Sequence, residues 1–258
     1  MDTIDTHCHL NDAHFSATLP DVLARATAAG VGRIIVPAYD RESLERTAQL
    51  AESFAGILFP AYGLHPWFVV DGNEPETLRS FLLRKNTVAV GEIGLDFSSP
   101  SYPAAEKQVR ALILQLDIAA EFNLPVLLHC RKAFDALYGI LKQFRGRLEG
   151  VIHSYSGGAA NLARFIELGY YISFSGTVTR SNARKYHKTV LAVPLDRLLL
   201  ETDAPSIATE STAASAVEPG HVLEIARKIA ELRSIPFSEV CRQSTENALK
   251  LFGRIQHI

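Results

Sequence analysis

No run of about 18 apolar residues occurs in the chain, and its N-terminus enters a strand pattern at once, with no charged leader, hydrophobic h-region or small-residue cleavage site. The expectation is a cytoplasmic protein with no membrane partner. Cysteine is scarce: Cys8, Cys130 and Cys241 are odd in number and lack C-x-x-C spacing, which argues against a disulfide framework and a cysteine zinc cluster. Nor does charge of one sign accumulate. A formal net charge of -2 excludes a broad basic surface for nucleic acid, so any polyanion must be held locally. No internal repeat, low-complexity domain or linker is present, although Ile207 to Val217 is a loop rich in Ala, Thr and Ser. Nothing points to an obligate protein partner.

With 258 residues, 47% of them hydrophobic, the chain can bury roughly 70 to 75% of its extended surface as one domain over 1–258. Short apolar, β-branched runs alternate with longer segments of helical period, the pattern of βα units around a parallel sheet. Strands are expected near Thr3 to His9, Arg33 to Pro37, Ile57 to Gly63, Thr87 to Glu92, Pro125 to His129, Gly150 to His153, Tyr170 to Ser175 and Leu198 to Thr202. Helices are expected near Leu19 to Ala29, Ser43 to Phe54, Glu74 to Arg84, Ala104 to Phe122, Ala133 to Phe144, Ala159 to Leu168 and Asn182 to Ala192, with two more near Val222 to Leu232 and Ser238 to Phe252. Eight such units predict an α/β fold, a (β/α)8 TIM barrel with its reactive groups at the C-terminal ends of the strands.

Polar residues sit where that fold needs them. His7 and His9 form a His-x-His pair; on a strand, alternation would point both the same way, as one metal ion requires. Glu92, His129, His153 and Asp203 each close a later apolar run. Four imidazoles and two carboxylates exceed what one tetrahedral ion needs, and a carboxylate can bridge two. The expectation is two divalent ions, zinc, manganese, magnesium or cobalt, with His7, His9 and Asp203 on one, His129 and His153 on the other, and Glu92 between. A divalent ion acidifies bound water and offsets charge on the attacked group, which is hydrolytic chemistry; Asp203 is placed to orient that water and take its proton. Strand alternation turns Cys8 and Cys130 away from the metals, as buried hydrophobes.

The segments IDTHCHL at Ile4, YGLHPW at Tyr62, VGEIGLD at Val90, PVLLHCRKAFD at Pro125, GVIHSYSGG at Gly150, LLLETDAPS at Leu198 and NALKLFG at Asn247 resemble, in order and spacing, the TatD family of metal-dependent deoxyribonucleases of the amidohydrolase superfamily. The resemblance covers nearly the whole length. It implies that His7, His9, Glu92, His129, His153 and Asp203 are the metal ligands and that His65 is a substrate or leaving-group contact rather than a ligand. It also implies a 3′ exonuclease acting on single-stranded DNA ends.

Around the metals, Arg131 shares a face with His129 and suits phosphate, or closes a salt bridge. Ser156, in the turn Ser154 to Gly158, precedes a helix start where an anion can bind. Arg180 and Arg184 belong to the one basic stretch expected on the catalytic face, although such a run is more often only a solvated helix start. Asp96 and Glu201 are read as partners of ligands, and Trp67 as loop packing or a base-stacking ring. Two segments depart from the family pattern, Phe97-Ser98-Ser99-Pro100 and Val217-Glu218-Pro219, in loops expected to shape the substrate pocket. Metal-dependent hydrolysis of a small ester, lactone or amide is therefore the alternative to DNA cleavage. A non-catalytic binding protein with a structural metal is a third reading.

Overall fold

A computed structural model describes residues 3–69 and 75–257. Eight parallel strands follow one another in a single sheet in sequence order: β1 (Thr3–Asp5), β2 (Val31–Pro37), β3 (Leu58–Tyr62), β4 (Ala89–Asp96), β5 (Val126–Arg131), β6 (Gly150–Ile152), β7 (Tyr171–Phe174) and β8 (Leu198–Leu200). Hydrogen bonds just past the strand ends bring β8 back to β1: Thr6 N–H to Leu200 O at 3.0 Å and Asp203 N–H to His7 O at 2.9 Å. The sheet thereby rolls into a nearly closed barrel.

Helices α1 (Leu19–Ala29), α2 (Arg41–Ser53), α3 (Pro75–Leu82), α4 (Ala105–Phe122), α5 (Phe134–Leu141), α6 (Ala159–Glu167) and α7 (Arg184–Ala192) fill the crossovers, and α8 (Val222–Arg233) and α9 (Phe237–Leu251) follow β8. Local chemistry sets their ends. Asp40 and Ser43 form a reciprocal capping box before α2, and α1 and α4 stop at Gly30 and Asn123, both left-handed, whose N–H groups bond back to carbonyls of the last turn. The expected start of the third helix, Glu74, lies outside the described residues.

Apolar side chains form two layers. Ile35, Phe59, Leu127, Val151 and Leu199 pack in one cluster with Leu251 and Phe252 of the C-terminal segment, while alternate strand positions such as Ile34, Val126, Leu128 and Ile152 join the larger cluster that includes the helices. Continuing the first set along β5 and β6 puts His129 and His153 on the lumen face, at the C-terminal mouth.

Two strands differ from expectation in ways that matter to the site. β1 ends at Asp5, so His7 and His9 lie beyond it, in extended chain held by Cys8 N–H to Ile35 O and His9 N–H to Ala204 O. β4 runs on to Asp96, so Glu92 lies within it rather than at its end. Close approach of β4 to β5 leaves no room at Gly94, which has φ +150°; a Cβ there would stand 2.0 Å from His129 O. Gly94→Ala is expected to cost about 3 kcal/mol or more, through overlap and backbone strain together, and to show as a large fall in Tm or in soluble yield.

Candidate metal centre

Strict alternation along β4 from Ala89, which packs in the lumen cluster, would turn Glu92 outward. The register prevents this: Val90 pairs with Val126 but Ile93 with Leu128, so β4 carries one extra residue across Gly91 and Glu92. The bulge returns Glu92 to the lumen, where it is 3% exposed.

Its two oxygens face two sets of imidazoles. Oε2 lies 3.3 Å from His7 Nε2 and 3.4 Å from His9 Nε2, and these two nitrogens are 3.2 Å apart. Asp203 Oδ1 closes that side, 3.5 Å from His9 Nε2 and 3.9 Å from His7 Nε2. Oε1 lies 2.8 Å from His153 Nε2 and 3.0 Å from His129 Nδ1, themselves 3.2 Å apart, and 3.3 Å from His65 Nε2. Tetrahedral donors held about 2.0–2.1 Å from one ion stand about 3.3–3.4 Å from each other, so the donor type and spacing both fit a divalent metal. All six sequence-predicted ligands converge here. His7 and His153 also stack, 4.1 Å between ring centres, so the two sides are in contact.

Flanking carboxylates set which nitrogen of His129 and of His153 faces Glu92. His129 Nε2 donates to Asp96 Oδ2 at 3.1 Å, and Nδ1 faces Glu92. His153 Nδ1 stands 3.4 Å from Glu201 Oε1, and Nε2 faces Glu92. Glu201 is itself held by Ser154 N–H and Ser173 Oγ. His65 is different. Its Nδ1 accepts from Trp67 N–H at 3.2 Å, so the ring proton of the neutral form sits on Nε2 and His65 presents a donor, not a lone pair. Burial pushes the His65 pKa down to about 4 against the pull of Glu92, which keeps it neutral near pH 7. Spacing alone would admit His65 to a metal cluster; the bond at Nδ1 argues against it.

Electrostatics follow the geometry. Burial would lift Glu92, but the imidazoles of His153, His65 and His7 outweigh it and hold the carboxyl well below its ordinary range. Burial raises Asp203, opposed by His153, His7 and His9. Asp5, buried deeper, accepts from His7 N–H and from Thr202 N–H and Oγ.

The centre opens into a cavity of about 680 Å³. Its lining includes Tyr39, Trp67 and Phe68 from the loops after β2 and β3, and Arg131, Ser154, Ser156 and Tyr186 from β5 and the loops and helix beyond. Arg131 and Arg180 both act on the Tyr186 hydroxyl, against the upward shift from its burial. Arg180 and Arg184 are exposed and do not line the cavity. Lys185 of the same stretch donates to Ser156 O. Cys8 is fully buried, whereas Cys130, also buried, contributes to the cavity wall. Neither departing loop lines the cavity, contrary to expectation: Ser98 N–H serves Asp96, and Glu218 pairs with Arg25 at 2.7 Å.

A sequence model of the family described as TatD related DNase matches residues 4–253. The chain belongs to the TatD family. Among its relatives, the metal-dependent hydrolase YjjV of Escherichia coli strain K12 is 38% identical over 254 residues, covering 97% of each chain. Human deoxyribonuclease TATDN3 is 32% identical over 272 residues, covering 99% of this chain and 96% of the human one. The crystal structure of the E. coli TatD homologue YjjV superposes with a TM-score of 0.91 over 97% of this chain and 98% of that one. As a TatD protein the chain is a metal-dependent hydrolase. Among the described residues no helix is long and apolar enough to cross a membrane.

Proposed function

We propose that the chain is a two-metal phosphodiesterase that trims DNA, a 3′ exonuclease on single-stranded ends. The observation that carries the reading is the division of Glu92, one oxygen toward His7 and His9 and the other toward His129 and His153. On this reading His7, His9 and Asp203 would hold one divalent ion and His129 and His153 another, with Glu92 shared between the two sets, the ions being zinc, manganese, magnesium or cobalt. Divalent ions bound there supply Lewis-acid charge at the attacked phosphorus and lower the pKa of water.

The chain's own residues do the rest. Asp203, its carboxyl lifted by burial, orients the attacking water and accepts its proton at a carboxylate oxygen. His65 directs its Nε2 proton at the leaving oxygen. Arg131 pairs with a non-bridging phosphate oxygen, with Ser156 and the Tyr186 hydroxyl on the same side of the cavity. Arg180 and Arg184, outside the cavity, attract the rest of the strand through screened charge. A cavity of about 680 Å³ suits a terminal nucleotide better than a continuous duplex, which supports action at ends. The 3′ polarity rests on the family resemblance.

End-labelled single-stranded DNA, incubated with protein loaded in turn with manganese, magnesium, cobalt and zinc, is expected to shorten stepwise from the 3′ end. No cleavage with any of the four, together with turnover of a small ester, lactone or amide, transfers the site to carbonyl chemistry. Arg131→Ala sharpens the distinction. Loss of a charge-assisted hydrogen bond to phosphate is expected to raise KM for DNA about tenfold with kcat little changed, and to leave hydrolysis of an uncharged ester alone.

A further inference from the structure

Trp67 is the chain's only tryptophan and lies 39% exposed at the cavity mouth, yet its indole N–H points inward and donates to Asp96 Oδ2 at 2.9 Å. Water could satisfy that N–H; a fully buried carboxylate receives it instead. The same oxygen accepts from His129 Nε2 at 3.1 Å, and Oδ1 accepts from Ser98 N–H at 2.8 Å. Gln108 grips the backbone of Asp96 from both sides, accepting from its N–H at 2.7 Å and donating to its carbonyl at 2.8 Å. Asp96 therefore has little freedom, and Trp67 is the one partner of its carboxylate that comes from the loop after β3.

The backbone N–H of Trp67 is used as well, on His65 Nδ1. The indole is fixed in turn, stacked on Tyr102 at 4.9 Å and edge-on to the His65 ring at 4.6 Å.

We propose that Trp67 is a positioning residue that orients two imidazoles of the centre at once: His65 through its backbone N–H, and His129 through its indole N–H and Asp96. The loop after β3 thereby braces a residue of β5 across the intervening strand. Without the indole bond, Asp96 Oδ2 gains a second rotational choice, and the His129 ring that it holds loses its fixed aim at Glu92. This inference rests on the reading that His129 and His153 hold an ion.

The test is metal binding rather than turnover. Cobalt(II) titrations, followed by visible absorption, are run on the wild type, Trp67→Phe, Asp96→Asn and the double variant, and Trp67 emission is followed as well in the wild type and Asp96→Asn, which keep the indole. Phenylalanine keeps a six-membered ring for Tyr102 and removes the N–H donor with the five-membered ring that carries it. Loss of a direct partner of a metal-bound histidine weakens affinity about 10- to 100-fold; Trp67→Phe, one bond further out, is expected to weaken one of the two ions about 3- to 10-fold and leave the other unchanged. The double variant is expected to bind as Asp96→Asn does, because Trp67 acts through that carboxylate. In the wild type, Trp67 emission is expected to change as the more affected ion binds. Tyr102→Leu, which removes the stacking partner but not the N–H, is expected to bind both ions as the wild type does.

Additive effects of Trp67→Phe and Asp96→Asn, or equal weakening by Tyr102→Leu, would reduce Trp67 to packing and overturn the inference. Two ions bound by Trp67→Phe as tightly as by the wild type would overturn it while leaving the two-metal reading intact. A wild type that takes up no second ion defeats both.

Discussion

Glu92→Gln is expected to lower bound metal toward none and to cut turnover by about 10³-fold or more, since one side chain faces both donor sets. The change conserves shape, so the fold should survive and metal content by elemental analysis remains interpretable. The loss should exceed that of Asp96→Asn, because Asp96 acts only through His129. In the metal-free protein the variant has a second signature. Burial pulls His153 down, but Glu92 and Glu201 outweigh it and hold the imidazole well above 6.5. A group raised in the folded state contributes stability that is full below its unfolded pKa and is lost as pH rises through the folded one. Glu92, held below its ordinary range, contributes fully only above its unfolded pKa, so removing its charge should destabilise the metal-free protein most between the ordinary values of 4.5 and 6.5, and less both in stronger acid and at high pH where His153 is neutral. A Tm difference that grows toward alkaline pH would contradict the pairing.

Asp203→Asn is expected to leave Tm and the metal on the His129 side nearly unchanged while cutting kcat by about 10²- to 10⁴-fold, the range of a positioned general base. Asp203 suits that role by place. It has φ +53°, its N–H is bonded to His7 O, and its carboxylate is the most distant of the donors around His7 and His9, at 3.5 and 3.9 Å. A residue so held faces both the donors His7 and His9 and the open cavity. Asparagine keeps an oxygen for the metal and loses the proton acceptor, so kcat should fall far more than metal affinity. Near wild-type turnover with metal restored would remove Asp203 from the mechanism.

Much of this was legible along the chain because barrel strands are short and their punctuation is local. Five apolar runs, each ended by His, Glu or Asp, locate the donors, and Gly30 and Asn123 mark helix ends as their residue types suggest. Asp96 and Glu201, two or four residues from a ligand, stand against His129 and His153 as expected. Other features were not legible. His65 lies in a loop, and its burial and proton placement come from a short turn in which Trp67 N–H bonds its Nδ1. Trp67 could be read as packing or stacking, but nothing near it in sequence announces a bond to Asp96, 29 positions away. The two departing loops were expected to shape the pocket, yet the fold keeps them off the cavity wall.

The amino-acid sequence by itself determined the eight βα units, the family and which polar residues are candidates for the metal site, because each depends on residue types and on periodicities that neighbouring residues set. Only the tertiary structure decided how those donors divide. Glu92 faces inward because β4 gains one residue against β5, and His7 meets Asp203 because the first strand closes on the last, with Thr6 bonded to Leu200 194 positions away. Cross-strand register and closure are settled by hydrogen bonds between segments distant in sequence, so no local pattern can contain them.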